Sequence, residues 1–592
     1  MTEKPKARPY ADIKNPFTVD QGGAFAEYYL RDPDLMPDLG LGSRILVYDK
    51  RDNKDVWITA TVVGLKAVSP FDPERQNLLY IEDESQDPTR LLTTLNGPHS
   101  HQPLLIKARL EREMTIVEED GTKKIYSSAI QRPPSSSSNM RFPDILPING
   151  SNEPCLQEML DIKEKGISLG AIGFGNHPYE QDNKFLFYKW DLDNLDNKHI
   201  FIVGESGSGK TVLLKNLALQ IREHDPDMRI IMTDIQGDLA QLIVPSVISE
   251  RKVEGWQSKI KRDKIEDSLK KIGPFQIIIP VSKESGSSPN IIALKKLAVK
   301  NSVQVREIGL RLQDLSYPSE VEYLYRVQSE QVASLLDEEA EEIRRQSNPV
   351  TVARLRESIT NLLTQTRGGQ INSHGGTPYY PTTGYAAQRA LRNLSNYFDH
   401  HQQSMGLSNN PLDLLDFQGT TILFLEHLNH EERLMWEMQL VQWLYNHKRD
   451  NWKAFVFFDE AHQIVPAKSS LVGSKVTFQL LRTNFERLAR EGRKFDIHLV
   501  LSTQSPRDLH QIVPEQCPTR IVMKIDPKNA EAAFLDKDLA LIANRFGHGQ
   551  FWLKSPFNGT PEWVRVHSWM PSLPHSSMTS FWEELKKQAK DK

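Results

Sequence analysis

Ile200-Phe201-Ile202-Val203 runs directly into Gly204-Glu205-Ser206-Gly207-Ser208-Gly209-Lys210-Thr211, and the chain continues as Val212-Leu213-Leu214-Lys215-Asn216-Leu217-Ala218-Leu219. An apolar strand, a glycine-bearing turn and an apolar helix pattern therefore follow one another, with Lys-Thr at the start of the helix. Each residue type has a task in holding phosphate. Glycines let backbone N–H groups curl around an α/β-phosphate, the helix N-terminus adds its positive end, Lys210 reaches the β/γ-phosphates and Thr211 holds Mg²⁺. A ligand-free turn between strand and helix would need neither Lys210 nor Thr211. The expected nucleotide-binding set is Gly204, Glu205, Ser206, Gly207, Ser208, Gly209, Lys210, Thr211 and Val212, with ATP and Mg²⁺ as cofactors.

Working outward, Ala454-Phe455-Val456-Phe457-Phe458 is an apolar run that ends in Asp459-Glu460-Ala461-His462. A strand delivering two adjacent carboxylates beside a phosphate loop fits a Walker B site. Asp459 helps Thr211 hold the metal, and Glu460 polarises the water that attacks the γ-phosphate. The run His498 to Ser502 leads into Thr503-Gln504, and ligands of open parallel sheets sit at that carboxyl edge. Gln504 is expected to sense the γ-phosphate or orient the water. Glu486-Arg487-Leu488-Ala489-Arg490-Glu491-Gly492-Arg493-Lys494 lies between these strands. Gly492 stops a helix and presents Arg493 outward, as an arginine finger donated to a neighbouring subunit requires.

The fold class expected is α/β, a RecA-like core with a small N-terminal β-barrel or sandwich and a helical insertion. Further core strands are read at Arg229 to Thr233, Gln276 to Pro280, Thr420 to Leu425 and Arg520 to Ile525, alternating with helical stretches. Residues of about 290–415 interrupt that rhythm as the insertion, which includes a glycine-rich loop from Gly368 to Gly384. Residues 1–131 carry short β-rich runs at Arg44 to Tyr48, Val56 to Leu65, Leu78 to Ile81, Leu104 to Leu110 and Lys124 to Ile130. Residues 132–164 open on Arg132-Pro133-Pro134 and four serines, a linker by composition. The ATPase core is placed at 165–570. Gly549 to Lys554 and Glu562 to Val566 read as two strands joined at Asn558-Gly559, and 571–592 as a tail helix.

Composition bounds the function. Of 592 residues 39% are hydrophobic and 25% charged, which excludes a disordered or fibrous chain. Lys plus Arg number 73 against 77 acidic residues, so any nucleic-acid contact must come from a local patch. Two cysteines, Cys155 and Cys517, are too few for a disulfide framework or a four-ligand zinc site. With no signal-like N-terminus and no apolar run of about 20 residues, a cytoplasmic protein without membrane contact is expected. His374, His400, His401, His427 and His430 lack metal-ligand spacing. Asp459-Glu460-Ala461-His462 echoes two-lobed DEAH-box helicases, yet too few residues follow His462 for a second ATPase lobe.

The combination of Lys198-His199 before the loop, Asp234-Ile235-Gln236-Gly237-Asp238, Asp459-Glu460-Ala461-His462 and Ala489-Arg490-Glu491-Gly492-Arg493-Lys494 running into Ser502-Thr503-Gln504-Ser505-Pro506 resembles the HerA family of the HerA/FtsK ATPases. Many relatives carry arginine where Lys198 stands, and a lysine lacks the bidentate fork. The N-terminal β segment is similar to that family's HAS barrel. The resemblance implies a homohexameric, ATP-dependent translocase on double-stranded DNA, with Arg493 as trans finger. It also implies a separate effector, a nuclease or a sirtuin-type NAD-hydrolysing protein, in DNA processing or anti-phage defence. The alternative is a non-motor ring whose ATP site regulates the effector. Arg367 and Arg389, flanking the glycine-rich loop, are the expected DNA contacts, and residues 1–131 the expected partner platform.

Overall fold

The computed structural model describes residues 10–20, 23–30, 39–67, 104–119, 122–130, 132–148, 153–163, 165–175, 177–194, 196–244, 254–260, 263–281, 289–314, 329–366, 368–395, 397–399, 416–446, 452–468, 475–556 and 562–590. A 13-stranded sheet organises the larger part. Its parallel portion runs in the spatial order Thr519–Val522, Ile200–Val203, Ile497–Thr503, Ala454–Phe458, Arg229–Asp234, Thr420–Phe424, Phe275–Pro280, Gln304–Ile308. The core strands read from sequence are all present, with ends shifted by a residue or a few. The architecture is mixed α/β, with a largely parallel central sheet.

Strands such as Ile200–Val203 and Ala454–Phe458 are apolar at every position because both sheet faces are covered. Alternate residues enter different cores. Phe201 and Val203 belong to the apolar cluster that also takes in the helices of the insertion and Leu488. Ile200 and Ile202 pack with Leu213, Leu214 and Leu217 of the P-loop helix, Lys210–His224. Truncating one such leucine to alanine costs about 2–5 kcal/mol.

Beyond Thr519–Val522 the sheet turns antiparallel. Gln550–Lys554 pairs with that strand, Val564–Ser568 with Gln550–Lys554, and Ile167–Phe174 with Val564–Ser568. The two C-terminal strands thus extend the sheet; their connecting turn at Asn558-Gly559 lies outside the described residues. The tail helix is Met578–Lys590.

The N-terminal part is a 7-stranded antiparallel sheet, closed on itself where Gly23–Leu30 pairs with Leu104–Glu119. Two of its strands, Tyr10–Asp20 and Gly23–Leu30, were not expected from sequence. The run expected at Leu78 to Ile81 lies outside the described residues. Asn139–Arg141, in the segment read as linker, pairs with both Tyr10–Asp20 and Arg44–Arg51. Ser135 of the same segment bonds the Asp49 carboxylate through its N–H at 3.1 Å and through its hydroxyl. Proline and serine content thus marked a stretch that the barrel holds, through Ser135 on Asp49 and through the pairing of Asn139–Arg141.

Barrel and ATPase core are joined tightly. Leu46, Trp57 and Met114 belong to the same apolar cluster as Ile200 and Leu213. Arg44 donates to the Trp563 carbonyl and pairs with Glu111, Arg112 pairs with Glu562, and Arg109 meets Asp536 at 2.7 Å. From the other side, Arg565 donates to the Leu41 carbonyl at 3.1 Å.

The interruption of the α/β rhythm begins later than the sequence implied. Helix Pro289–Lys300 and strand Gln304–Ile308 complete the parallel edge, and the helical unit comprises Glu330–Arg345, Val352–Thr364 and Pro381–Leu394. The glycine-rich stretch is built rather than loose. Ile371–Asn372 and Pro378–Tyr379 form a hairpin, and Gly384 is buried within a helix, where an added Cβ would lie 2.8 Å from Leu363 Cδ2. Two carboxylates hold the hairpin. Glu338 accepts from the hydroxyls of Ser373, Thr377 (3.0 Å) and Tyr379 (2.9 Å), and the fully buried Glu339 accepts from Ser358, the His374 N–H (3.0 Å) and His374 Nδ1 (2.7 Å). Arg367 lies outside the described residues, whereas Arg389 is exposed on helix Pro381–Leu394.

Candidate nucleotide site

Parallel register brings the chemistry to one edge. Val203 lies abreast of Thr503, and Phe458 abreast of both Thr233 and Leu501, so the residues that follow each strand converge. The resulting cleft of about 1620 Å³ is lined by Ser206, Gly207, Gly209, Lys210, Thr211, Val212, Gln236, Asp238, Asp459, Glu460 and Gln504, with C-terminal residues opposite.

Gly207 and Gly209 have φ of 78° and 104°, a left-handed backbone that side-chain-bearing residues rarely adopt. Gly209 is the residue before the helix, so its conformation turns the loop into the helix N-terminus. Gly204, Glu205 and Ser208 do not line the cleft. The Glu205 N–H donates to the Lys524 carbonyl at 2.8 Å, and an added Cβ at Gly204 would meet Ser208 Oγ at 2.6 Å. Lys210 Nζ donates to the carbonyls of Gly204 at 2.8 Å and Glu205 at 3.1 Å. Burial pulls its pKa down, while Glu460, Asp459 and Glu205 oppose that shift. Phosphate oxygens would replace those carbonyls as acceptors with a full charge.

Asp459 is buried, and its carboxylate accepts from Ser502 Oγ at 2.9 Å. Burial, with the Glu460 charge beside it, pushes its pKa up to about 6. An anion so disfavoured gains from a bound cation, and oxygen donors from Asp459 and Thr211 suit Mg²⁺. Thr211 Oγ1 donates to Asp238 Oδ2 at 3.4 Å.

Glu460 stands in the left-handed region, φ 52°, at the turn out of its strand. Backbone strain at a non-glycine residue needs surrounding support. Here Gln504 supplies it, donating to Glu460 through its side-chain amide and, at 3.4 Å, through its backbone N–H. Gln236 Nε2 donates to Oε1 of the same carboxylate at 3.4 Å, and His462 Nδ1 lies 3.4 Å from Oε2. Burial lowers the His462 pKa against the charges of Glu460 and Asp508. A carboxylate fixed at both oxygens can take a proton from a water in a defined direction.

Gln504 therefore meets Glu460, as the strand order predicted, and Asp459 and Thr211 share the cleft. Arg493 does not line it. It is exposed on the turn Gly492–Phe495 that follows helix Lys475–Glu491. Gln236, Asp238 and Ser502 were quoted from sequence only within larger strings. Their roles depend on contacts between strands far apart in the chain, and only the position of Asp238 four residues after Asp234 at a strand end hinted at one.

No curated protein matches the chain. Among solved structures it is similar to the bacterial conjugative coupling protein TrwBdeltaN70, with 14% identity and a TM-score of 0.42 over 70% of this chain and 96% of that one. It is also similar to VirB4 of Thermoanaerobacter pseudethanolicus, with 12% identity and a TM-score of 0.43 over 71% and 98%. The genome packaging NTPase B204 of Sulfolobus turreted icosahedral virus 2, in complex with ATP-gammaS, is 11% identical at a TM-score of 0.26 over 64% and 99%. Among the described residues no helix is long and apolar enough to cross a membrane. Residues 175–433 match the family described as helicase HerA, central domain, a span that includes the phosphate loop and Asp238 and stops short of Asp459. The chain is a P-loop ATPase whose residues 175–433 are similar to the central domain of helicase HerA.

Proposed function

We propose that this ATPase is a motor on double-stranded DNA that works as a homohexameric ring alongside a separate effector, a nuclease or NAD-hydrolysing protein. One observation carries the reading. Among the described residues, the lysines and arginines lining the cleft are Lys210 and Lys587, so no arginine of the same subunit meets the transferring phosphoryl group. The exposure of Arg493 beyond the Gly492 helix stop supports its service to a neighbour's site instead.

Within one subunit the loop N–H groups and Lys210 hold the phosphates, and Glu460, oriented by Gln504 and Gln236, accepts the proton of the attacking water. Thr211 and Asp459 would hold Mg²⁺, which supplies charge neutralisation at the β/γ-phosphates. The barrel offers an effector the exposed Val117 and Tyr126, 40% and 49% accessible on adjacent paired strands.

DNA contact is assigned to helix Pro381–Leu394, on which Tyr385, Arg389 and Arg392 are exposed at one-face spacing. Lysine- and arginine-phosphate contacts track a backbone without reading bases. Duplex DNA of any sequence should stimulate hydrolysis and bind with a salt slope of about −0.9 per phosphate contacted. Arg389→Ala/Arg392→Ala should flatten that slope by about two contacts' worth. A wild-type slope would remove this helix from the interface, and DNA that neither binds nor stimulates would favour an ATP-regulated ring scaffold.

A further inference from the structure

The cleft does not end at the phosphate loop. Its far wall comes from the last part of the chain, including Gly549, Trp569, Met570 and His575. This segment is fastened to the phosphate-binding elements themselves. The Gly549 N–H donates to the carbonyl of Ser208 at 3.2 Å, and the Ser568 N–H donates to the Gly549 carbonyl at 2.7 Å. Lys215, buried in the P-loop helix one turn past Lys210, donates through Nζ to the Pro574 carbonyl at 2.9 Å. Gln241, on the turn that follows Asp238, exchanges two bonds with Ser576: its Nε2 donates to the carbonyl at 3.0 Å, and its Oε1 accepts the N–H at 2.9 Å. The strap Ser568–Ser577 is therefore held to the two elements that flank the phosphates.

Direction follows from the chemistry at the other end. A nucleoside triphosphate held by Lys210 must turn its γ-phosphate toward Glu460 and Gln504, which leaves the nucleoside to extend past Val212, away from the carboxylates. There it meets the strap. Trp569, half-buried and 6.1 Å from the Phe187 ring centroid, supplies a large apolar wall. Its indole N–H is buried without a hydrogen-bond partner among the described residues, so the ring itself is what the side chain presents to the cleft. We infer that the C-terminal strap, with Trp569 as its principal contact, forms the base-binding half of the nucleotide site. The inference rests on the reading of the loop as a triphosphate site and adds the part of the ligand that the loop does not touch.

The test separates the two halves with two probes on the full chain, Mg-ATP and inorganic tripolyphosphate. Trp569→Ala should weaken ATP by about tenfold, the scale of one lost base–aromatic contact, and leave tripolyphosphate binding unchanged. Trp569→Phe should restore most of the ATP affinity. Lys210→Ala should weaken both probes, and if it does not, the loop reading fails independently. Should Trp569→Ala fold poorly, Met570→Ala at the same wall must show the same split, with a smaller loss. Unchanged ATP affinity, or equal loss of both probes in a variant with a native circular dichroism spectrum, would overturn the assignment.

Discussion

His199, the residue before the P-loop strand, reaches the Ala489 carbonyl with Nε2 at 2.8 Å, near the end of the helix that leads to Arg493. Its other nitrogen, Nδ1, accepts the Leu499 N–H at 2.9 Å, so the ring proton resides on Nε2. Burial, with His498 beside it, drives the His199 pKa down to about 3, which keeps the ring neutral under working conditions. One side chain thereby ties the phosphate-loop strand, the neighbouring strand Ile497–Thr503 and the helix that leads to Arg493 together.

Replacing that ring strands a buried donor and a buried acceptor. His199→Ala should lower stability by about 1–3 kcal/mol per unsatisfied group, read as a lower urea midpoint at unchanged slope. An unchanged midpoint would show that the links contribute nothing.

Arg493 is exposed and outside its own subunit's cleft, so its loss should spare ATP binding. Turnover by Arg493→Ala should fall by about 10³-fold or more, the range measured for arginine fingers. In mixed assemblies the defect should appear at the neighbour's site. Wild-type turnover in all-mutant protein would reject the role.

Glu437 on helix His430–Asn446 is buried, and one of its oxygens has no hydrogen-bond partner among the described residues. Burial pushes its pKa up to about 8, with Asp459 across from it; Arg433 on its own helix opposes the shift. Asp234 behaves alike, rising to about 7 for the same reason. A carboxyl with a raised folded pKa contributes stability that is complete below its unfolded value, near 4.5 for Glu437, and is lost as pH rises toward 8. Nucleotide-free protein should therefore melt progressively lower from pH 5 to pH 8, and Glu437→Gln should flatten that slope. An identical slope in the variant would mean that Glu437 is ionised throughout.

The legible parts of this chain are those whose physics is local. A strand, a turn and a helix with Lys210-Thr211 between them are adjacent in sequence, and Phe458-Asp459-Glu460 places carboxylates at a strand end by the same logic. Gln504 was readable because the order of parallel strands confines it to that edge. Contacts across the sheet were not readable, since Ser502 with Asp459 or Gln236 with Glu460 depends on register between distant strands. The strap over the cleft was hidden for a related reason: Pro574 and Ser576 look like any proline- and serine-containing linker until Lys215 and Gln241 are seen to hold them. Tyr10–Asp20 escaped notice because Lys14-Asn15-Pro16 breaks its β pattern. Gly368 to Gly384 misled in the opposite sense, because glycine content marked flexibility where Glu338 and Glu339, more than thirty residues earlier in sequence, impose a hairpin.

The most direct test of the account is the split between binding and turnover in Glu460→Gln, measured on the full chain with Mg-ATP. The buried amide keeps the shape of the side chain and its partners Gln504 and Gln236 but cannot accept the water's proton, so affinity should stay within about twofold while turnover drops by about 10²-fold or more, the scale of a lost general base. Hydrolysis at the wild-type rate by a variant that binds ATP normally would contradict the assignment of Glu460 as the group that activates water.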